Sequence, residues 1–237
     1  MSLPSIESML KAGLHFGHQA SKWHPKMEQY IFGVRSNIHI IDLESTATSL
    51  QAVEKFINQV VERGQNVLFL GTKAQAKEVI EAQAKRANQP YVVNRWIGGF
   101  LTNFYHVIKL TKKLKDLTRQ RDTGELNKYT KKEQIGFEEE IIRLETMVGG
   151  VKDFDKVPGA LFIVDIKTEM TAVAEAKKRG IPIIALCDTN VNPDPVDYVI
   201  PGNDDAAKGI ELIVTAVADM ILDAQKKVAS AAPKIVK

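Results

Sequence analysis

The sequence predicts an α/β fold, a doubly wound parallel sheet with helices on both sides and an antiparallel helical hairpin inserted in its middle. Three observations carry this. Val67 to Leu70 is a short, unbroken apolar run between turn residues, the pattern of a strand buried on both faces, and Ala160 to Asp165 and Pro182 to Asp188 have the same form. Segments with helical spacing alternate with them, which implies parallel strands joined by crossover helices. Between Tyr105 and Val148 the strand pattern stops and two narrow apolar seams replace it.

Residues 5–12 predict one short helix. Residues 13–27 follow with neither helical nor strand period, and Asn37 to Asp42 is the first strand candidate. A helix over 44–63 places Leu43, Ala47, Leu50, Val53, Ile57 and Val60 on one face and ends at Gly64. After the strand at 67–70, Gly71 turns the chain and Thr72 is placed to cap a helix over 74–88. Tyr91 to Val93 reads as a short strand leading to Arg95 and Trp96. In the hairpin, Val107, Leu110, Leu114 and Leu117 form one seam and Phe137, Ile141, Leu144 and Val148 the other. Thr130 and Glu133 have the spacing of a capping box. Strands at 160–165, 182–187 and 198–200 and a long helix with Ile210, Ile213, Val214, Val217 and Ile221 on one face complete the chain. The expected division is an α/β domain of 1–104 and 149–229, a hairpin of 105–148 and a flexible tail of 230–237.

A chain of 237 residues, 44% hydrophobic and 26% charged, is long enough for a full α/β core. No apolar run is long enough to span a bilayer, and the N-terminus has no secretory signal pattern. The single cysteine, Cys187, excludes an internal disulfide and points to a reducing, cytoplasmic setting. The net charge of +3 means that any nucleic-acid surface must come from local clustering.

Gly71-Thr72-Lys73 sits where a phosphate cradle would lie. A Walker loop needs a glycine directly before its lysine, and Thr72 stands there, so a tight strand-to-helix turn is the better reading. Asp165 and Asp188 lie at strand ends, where they suit an enzyme acting on a phosphorylated small molecule or simply cap helices. The hairpin argues for RNA instead. Its first arm carries Lys109, Lys112, Lys113, Lys115, Arg119 and Arg121 against one acid, Asp116. The irregular N-terminal segment adds Lys22, Trp23, His24, Lys26 and Arg35, and the stretch before the hairpin adds Arg95, Trp96 and Asn103. His18 with Asp188 and Asp204 or Asp205 forms a set that could hold zinc, although acids at this edge more often cap helices.

The order of the motifs resembles the family of bacterial-type small-subunit ribosomal protein two. The resemblance rests on Ala12 to Gln19, Trp23 to Met27, Tyr30 to Gly33 and Ile38 to Leu43 in the N-terminal region. It continues through Leu70 to Lys73, Arg95 to Phe104, Asp188 to Asn190 and Val196 to Ala206. His24 departs from it, since that family usually has Asn there. The resemblance implies a flavodoxin-like sheet with an inserted coiled-coil hairpin, no catalysis, no required cofactor and no small-molecule substrate. It also implies a place on a cytoplasmic or plastid ribosome, between head and body of the small subunit. The implied partners are ribosomal RNA, neighbouring small-subunit proteins and the large RNA-binding ribosomal protein one.

Overall fold

The computed structural model describes residues 3–231. Five parallel strands form the main sheet: β4 (Val67–Leu70), β5 (Tyr91–Val92), β6 (Ala160–Val164), β7 (Ile183–Cys187) and β8 (Tyr198–Pro201). Their spatial order is β5-β4-β6-β7-β8. Counted along the chain within this sheet, that is the 2-1-3-4-5 order of flavodoxin-like folds, with the topological switch point between β4 and β6. The continuous apolar runs have their expected cause. Every residue of β4, β6 and β7 is buried, because both faces are covered.

One face, with Val67, Phe69, Phe162, Val164, Ile184, Leu186 and Ile200, packs under α2 (Leu43–Glu62), α3 (Ala74–Arg86) and α7 (Ala207–Ala231). The other, with Leu68, Leu70, Leu161, Ile163 and Ala185, packs under α6 (Met170–Arg179) and is continuous with the apolar seam of the hairpin helices α4 (Phe104–Asp122) and α5 (Lys131–Val148). Gly71 has a packing role beyond its turn, since a Cβ there would collide with Ile80 of α3. Thr72 does not cap α3. Lys73 holds the N-cap position without a side-chain bond, and the Thr72 hydroxyl is turned to Glu169. The capping box of α5 is present, with Thr130 and Glu133 each bonded to the other's backbone.

The N-terminal region departs from the expectation of an irregular segment. After α1 (Ile6–Lys11), strands β1 (Phe16–Gln19), β2 (Ile31–Arg35) and β3 (Ile38–Ile41) form a separate antiparallel sheet in the order β1-β3-β2. The segment 37–42 is thus the centre of this small sheet and not a strand of the main one. Ser36 and Asn37, both at positive φ, make the tight turn between β2 and β3.

Candidate nucleic-acid interface

Two arrangements determine what this surface presents. The first is at the carboxyl ends of the parallel strands, where a ligand of such a sheet would bind. Lys73 Nζ lies 2.8 Å from Asp204 Oδ1, 2.5 Å from Asp205 Oδ1 and 3.6 Å from Asp165 Oδ2. Burial works to lower the Lys73 pKa, but the carboxylates of Asp204 and Asp205 outweigh it and raise it. One ammonium cannot balance three carboxylates, however. Burial, with Asp165 and Asp188 nearby, pushes Asp204 up to about 6 in spite of its bond to Lys73. Asp165 accepts from the backbone N–H groups of Lys167 and Thr168, which fixes the turn after β6; it does not cap α6, whose N-cap is Glu169. At the switch point, Thr72 donates through its hydroxyl (2.6 Å) and backbone N–H (3.1 Å) to Glu169. Neither Thr72 nor Lys73 is therefore free to cradle a phosphate.

The N-terminal sheet closes over this edge. The His18 N–H donates to Thr189 Oγ1 and the His24 N–H to the Thr189 carbonyl. Asn203 donates from its backbone to Leu14 O and from its side chain to Gly13 O. Gly17 is required here, because a Cβ would stand 2.7 Å from Thr189 Cγ2. His18 Nδ1 is 3.1 Å from Asp188 Oδ2, and His18 Nε2 is 3.5 Å from Asp205 Oδ2. The Asp188 carboxylate raises the His18 pKa against the opposing effect of burial. The Nδ1 contact is an ion pair when the ring is protonated and is not an aligned hydrogen bond. His18 contacts Asp188 and Asp205, and Asp205 is shared with Lys73, whose ammonium also meets Asp165 and Asp204. Among the described residues no three His, Cys, Asp or Glu side chains form a metal-binding group. Cys187 is fully buried, and burial raises its thiol pKa, which removes it as a nucleophile.

The second arrangement is the loop that launches the hairpin. Glu175, buried on α6, accepts from Trp96 Nε1–H (3.1 Å) and from the backbone N–H of Gly99 (2.7 Å), Leu101 (2.9 Å) and Thr102 (3.1 Å). The Thr102 hydroxyl adds a further bond at 3.1 Å. Burial alone would raise the Glu175 pKa, but this ring of donors outweighs it and holds the carboxyl below its ordinary value. Arg179 fastens the same loop by donating to Leu101 O. The loop leaves Arg95 and Asn103 exposed at the start of α4.

Trp96 is a correction. It is 8% exposed, packs its ring on Phe100 and donates to Glu175, so it cannot stack on a base. Tyr105, missed in the sequence, stands 69% exposed one residue into α4, with Lys109 Nζ 4.6 Å from its ring centroid. Lys112 is exposed one turn further on. Four other basic residues of the arm have acidic neighbours: Lys113 pairs with Glu140, Lys115 with Asp153, Arg119 with Glu125 and Arg121 with Asp122. In the N-terminal region, Lys22 and Arg35 are exposed. Lys26 pairs with Asp194, His24 caps the short helix that follows it, and Trp23 lies against His39. The structure thus sorts the predicted set. Lys22, Arg35, Arg95, Asn103, Lys109 and Lys112 are exposed and unpaired among the described residues, whereas Trp96 is not available.

Comparison with known proteins agrees with this non-catalytic arrangement. The profile of the family described as Ribosomal protein S2 matches residues 9–224. Small ribosomal subunit protein uS2 of Roseiflexus sp. is 50% identical over 225 residues, covering 95% of this chain and 86% of its own. The protein of the same name from Chloroflexus aurantiacus is 48% identical over 223 residues, 94% of each chain. That from Marinobacter nauticus is 44% identical over 237 residues, 100% of this chain and 95% of its own. These relatives bear the name of a ribosomal protein and not of an enzyme. With a strand-end crevice filled by its own lysine and N-terminal sheet, and with this match along nearly its whole length, the chain belongs to the ribosomal protein S2 family.

Proposed function

We propose that this protein is a structural component of the small ribosomal subunit that serves translation by binding ribosomal RNA, and that it performs no catalysis. The observation that carries the RNA contact is the exposed group Arg95, Asn103, Tyr105, Lys109 and Lys112, which flanks the loop that Glu175 fastens. Unpaired cations beside an exposed aromatic ring suit a phosphate backbone with an unstacked base. Lys22 and Arg35 extend the basic surface to the N-terminal sheet. The same sheet exposes Phe32 (81%) and Val34 (57%), two residues apart and so on one face. An exposed apolar pair of this kind supports the second part of the proposal, a docking place for neighbouring small-subunit proteins and for the large RNA-binding ribosomal protein one. No metal or cofactor is given a part in this function.

The test is reconstitution of small subunits with full-length Arg95→Ala and Lys109→Ala variants. Incorporation should fall several-fold while the melting temperature stays within about 2 °C of the parent, since exposed substitutions of this kind change stability little. Undiminished incorporation of the double variant would overturn the RNA contact. An exposed pair of aliphatic and aromatic residues is tested separately by Phe32→Ala, which should leave RNA binding intact and weaken retention of protein one.

A further inference from the structure

We infer that Tyr105 is a stacking platform that makes the base of the hairpin select RNA with an unpaired nucleotide over a continuous duplex. The inference rests on the RNA contact proposed above and names the class of RNA that this contact takes. Tyr105 stands 69% exposed on the first turn of α4, while Phe104 and Val107 on either side of it are buried in the core. The backbone that carries the ring is therefore fixed, although the ring itself adds little burial to the fold. Lys109, one turn further on, places its Nζ 4.6 Å from the ring centroid. A ring that carries a lysine over one face and is still this exposed has its other face open to a planar partner.

The charges around the ring select a polyanion. From Asn94 to Lys115 the chain has no Asp or Glu, and it carries Arg95, Lys109, Lys112, Lys113 and Lys115. The acids on the elements packed against this stretch are already engaged. Glu140 holds Lys113, Asp153 holds Lys115, Glu145 holds Lys152, and Glu175 is bonded to the loop N–H groups. Arg95, Lys109 and Lys112 are left exposed and without an acidic partner among the described residues. An acidic peptide would answer these cations and leave the ring unused. A continuous duplex would do the same, since its base faces are covered by one another. A nucleotide in a loop, a bulge or a strand end offers phosphate and base face together, and stacking accepts any of the four bases.

The test uses the full-length protein, a single-stranded RNA of about 20 nucleotides with a fluorescent adenine analogue at its centre, and the same strand annealed to its complement. The ratio of single-strand to duplex affinity should fall about tenfold in Tyr105→Leu. Tyr105→Phe keeps the ring and should keep the ratio. The fluorescence of the analogue should change on binding to the parent and to Tyr105→Phe, and not on binding to Tyr105→Leu. The slope of affinity against salt should be the same in all three proteins, because no phosphate contact is removed. Circular dichroism checks that the exposed substitutions leave the fold unchanged. An affinity ratio and a fluorescence response that Tyr105→Leu leaves unaltered overturn the stacking role while the RNA contact stands. A parent protein that binds neither RNA, or binds both without salt dependence, overturns the RNA contact and this inference with it.

Discussion

Lys73 shows how a single residue can be misread from sequence and explained by structure. Beside Gly71 and Thr72 it looks like a phosphate ligand, yet its ammonium compensates Asp165, Asp204 and Asp205. Removing one partner of a largely buried charge cluster strands the others. Lys73→Met should therefore cost about 3 kcal/mol in urea unfolding, and a loss below about 1 kcal/mol would show that water already screens the cluster. His18 gives the same edge a pH dependence. Its pKa is raised from 6.5, so its stabilising contribution is full below 6.5 and is lost as pH rises through the higher folded value. Asp204, raised from 3.8 to about 6, shifts stability in the same sense over the lower range from 3.8 upward. The melting-temperature gap between parent and His18→Gln should accordingly shrink between about pH 6 and about pH 8. A gap that widens with pH would contradict the ion pair with Asp188. The sequence suggested that His18 meets Asp188 and Asp204 or Asp205, but not that Lys73 supplies the cation among these acids, because residue 73 and residues 204–205 are far apart along the chain.

The elements divide by how much of their environment is local. Strands β4, β6 and β7 were legible because burial on both faces leaves an unbroken apolar run. The hairpin helices were legible because each seam repeats within its own segment. Strands β1 and β2 were not, since Phe16, Phe32 and Val34 are apolar but exposed, and Gly17, His18 and Gly33 interrupt them, so the usual alternation is inverted. Glu175 left one trace that could have been found: an acid between Ala172, Val173 and Ala176 on the buried side of α6. Its partners, backbone N–H groups of a distant loop, leave no motif. Glu175→Ala strands buried donors and should cost about 3 kcal/mol. The loop amides of Gly99, Leu101 and Thr102 should then exchange faster with solvent than those of β6. Unchanged protection at those three positions would show that the clasp does not hold the loop. At the tip of the hairpin, Thr130→Ala should cost about 1 kcal/mol and fray the first turn of α5. Helicity lost evenly along α5 would argue that the capping box is not what fixes that end.

At the scale of the whole molecule, a sheet of ligand-binding topology has its crevice closed by its own N-terminal sheet and its own lysine. The surface proposed to bind RNA lies instead on the outside, on the hairpin's base and along the N-terminal region. The parallel sheet followed from the pattern of strands and helices and its flavodoxin-like arrangement from the family resemblance, whereas the closure did not, because it depends on Thr189 and Asn203 meeting residues 13–24. In the proposed function, exposed cations at the base of α4 neutralise RNA phosphates. The most direct measurement is the affinity of the full-length protein for small-subunit ribosomal RNA across a salt titration, for the parent and for Lys109→Glu/Lys112→Glu. Each phosphate contact contributes a slope of roughly −0.7 to −0.9 in log affinity against log salt concentration. The account predicts weaker binding and a slope shallower by about 1.5 to 2 in the double variant, with an unchanged circular dichroism spectrum. The same slope and affinity in both proteins would contradict it.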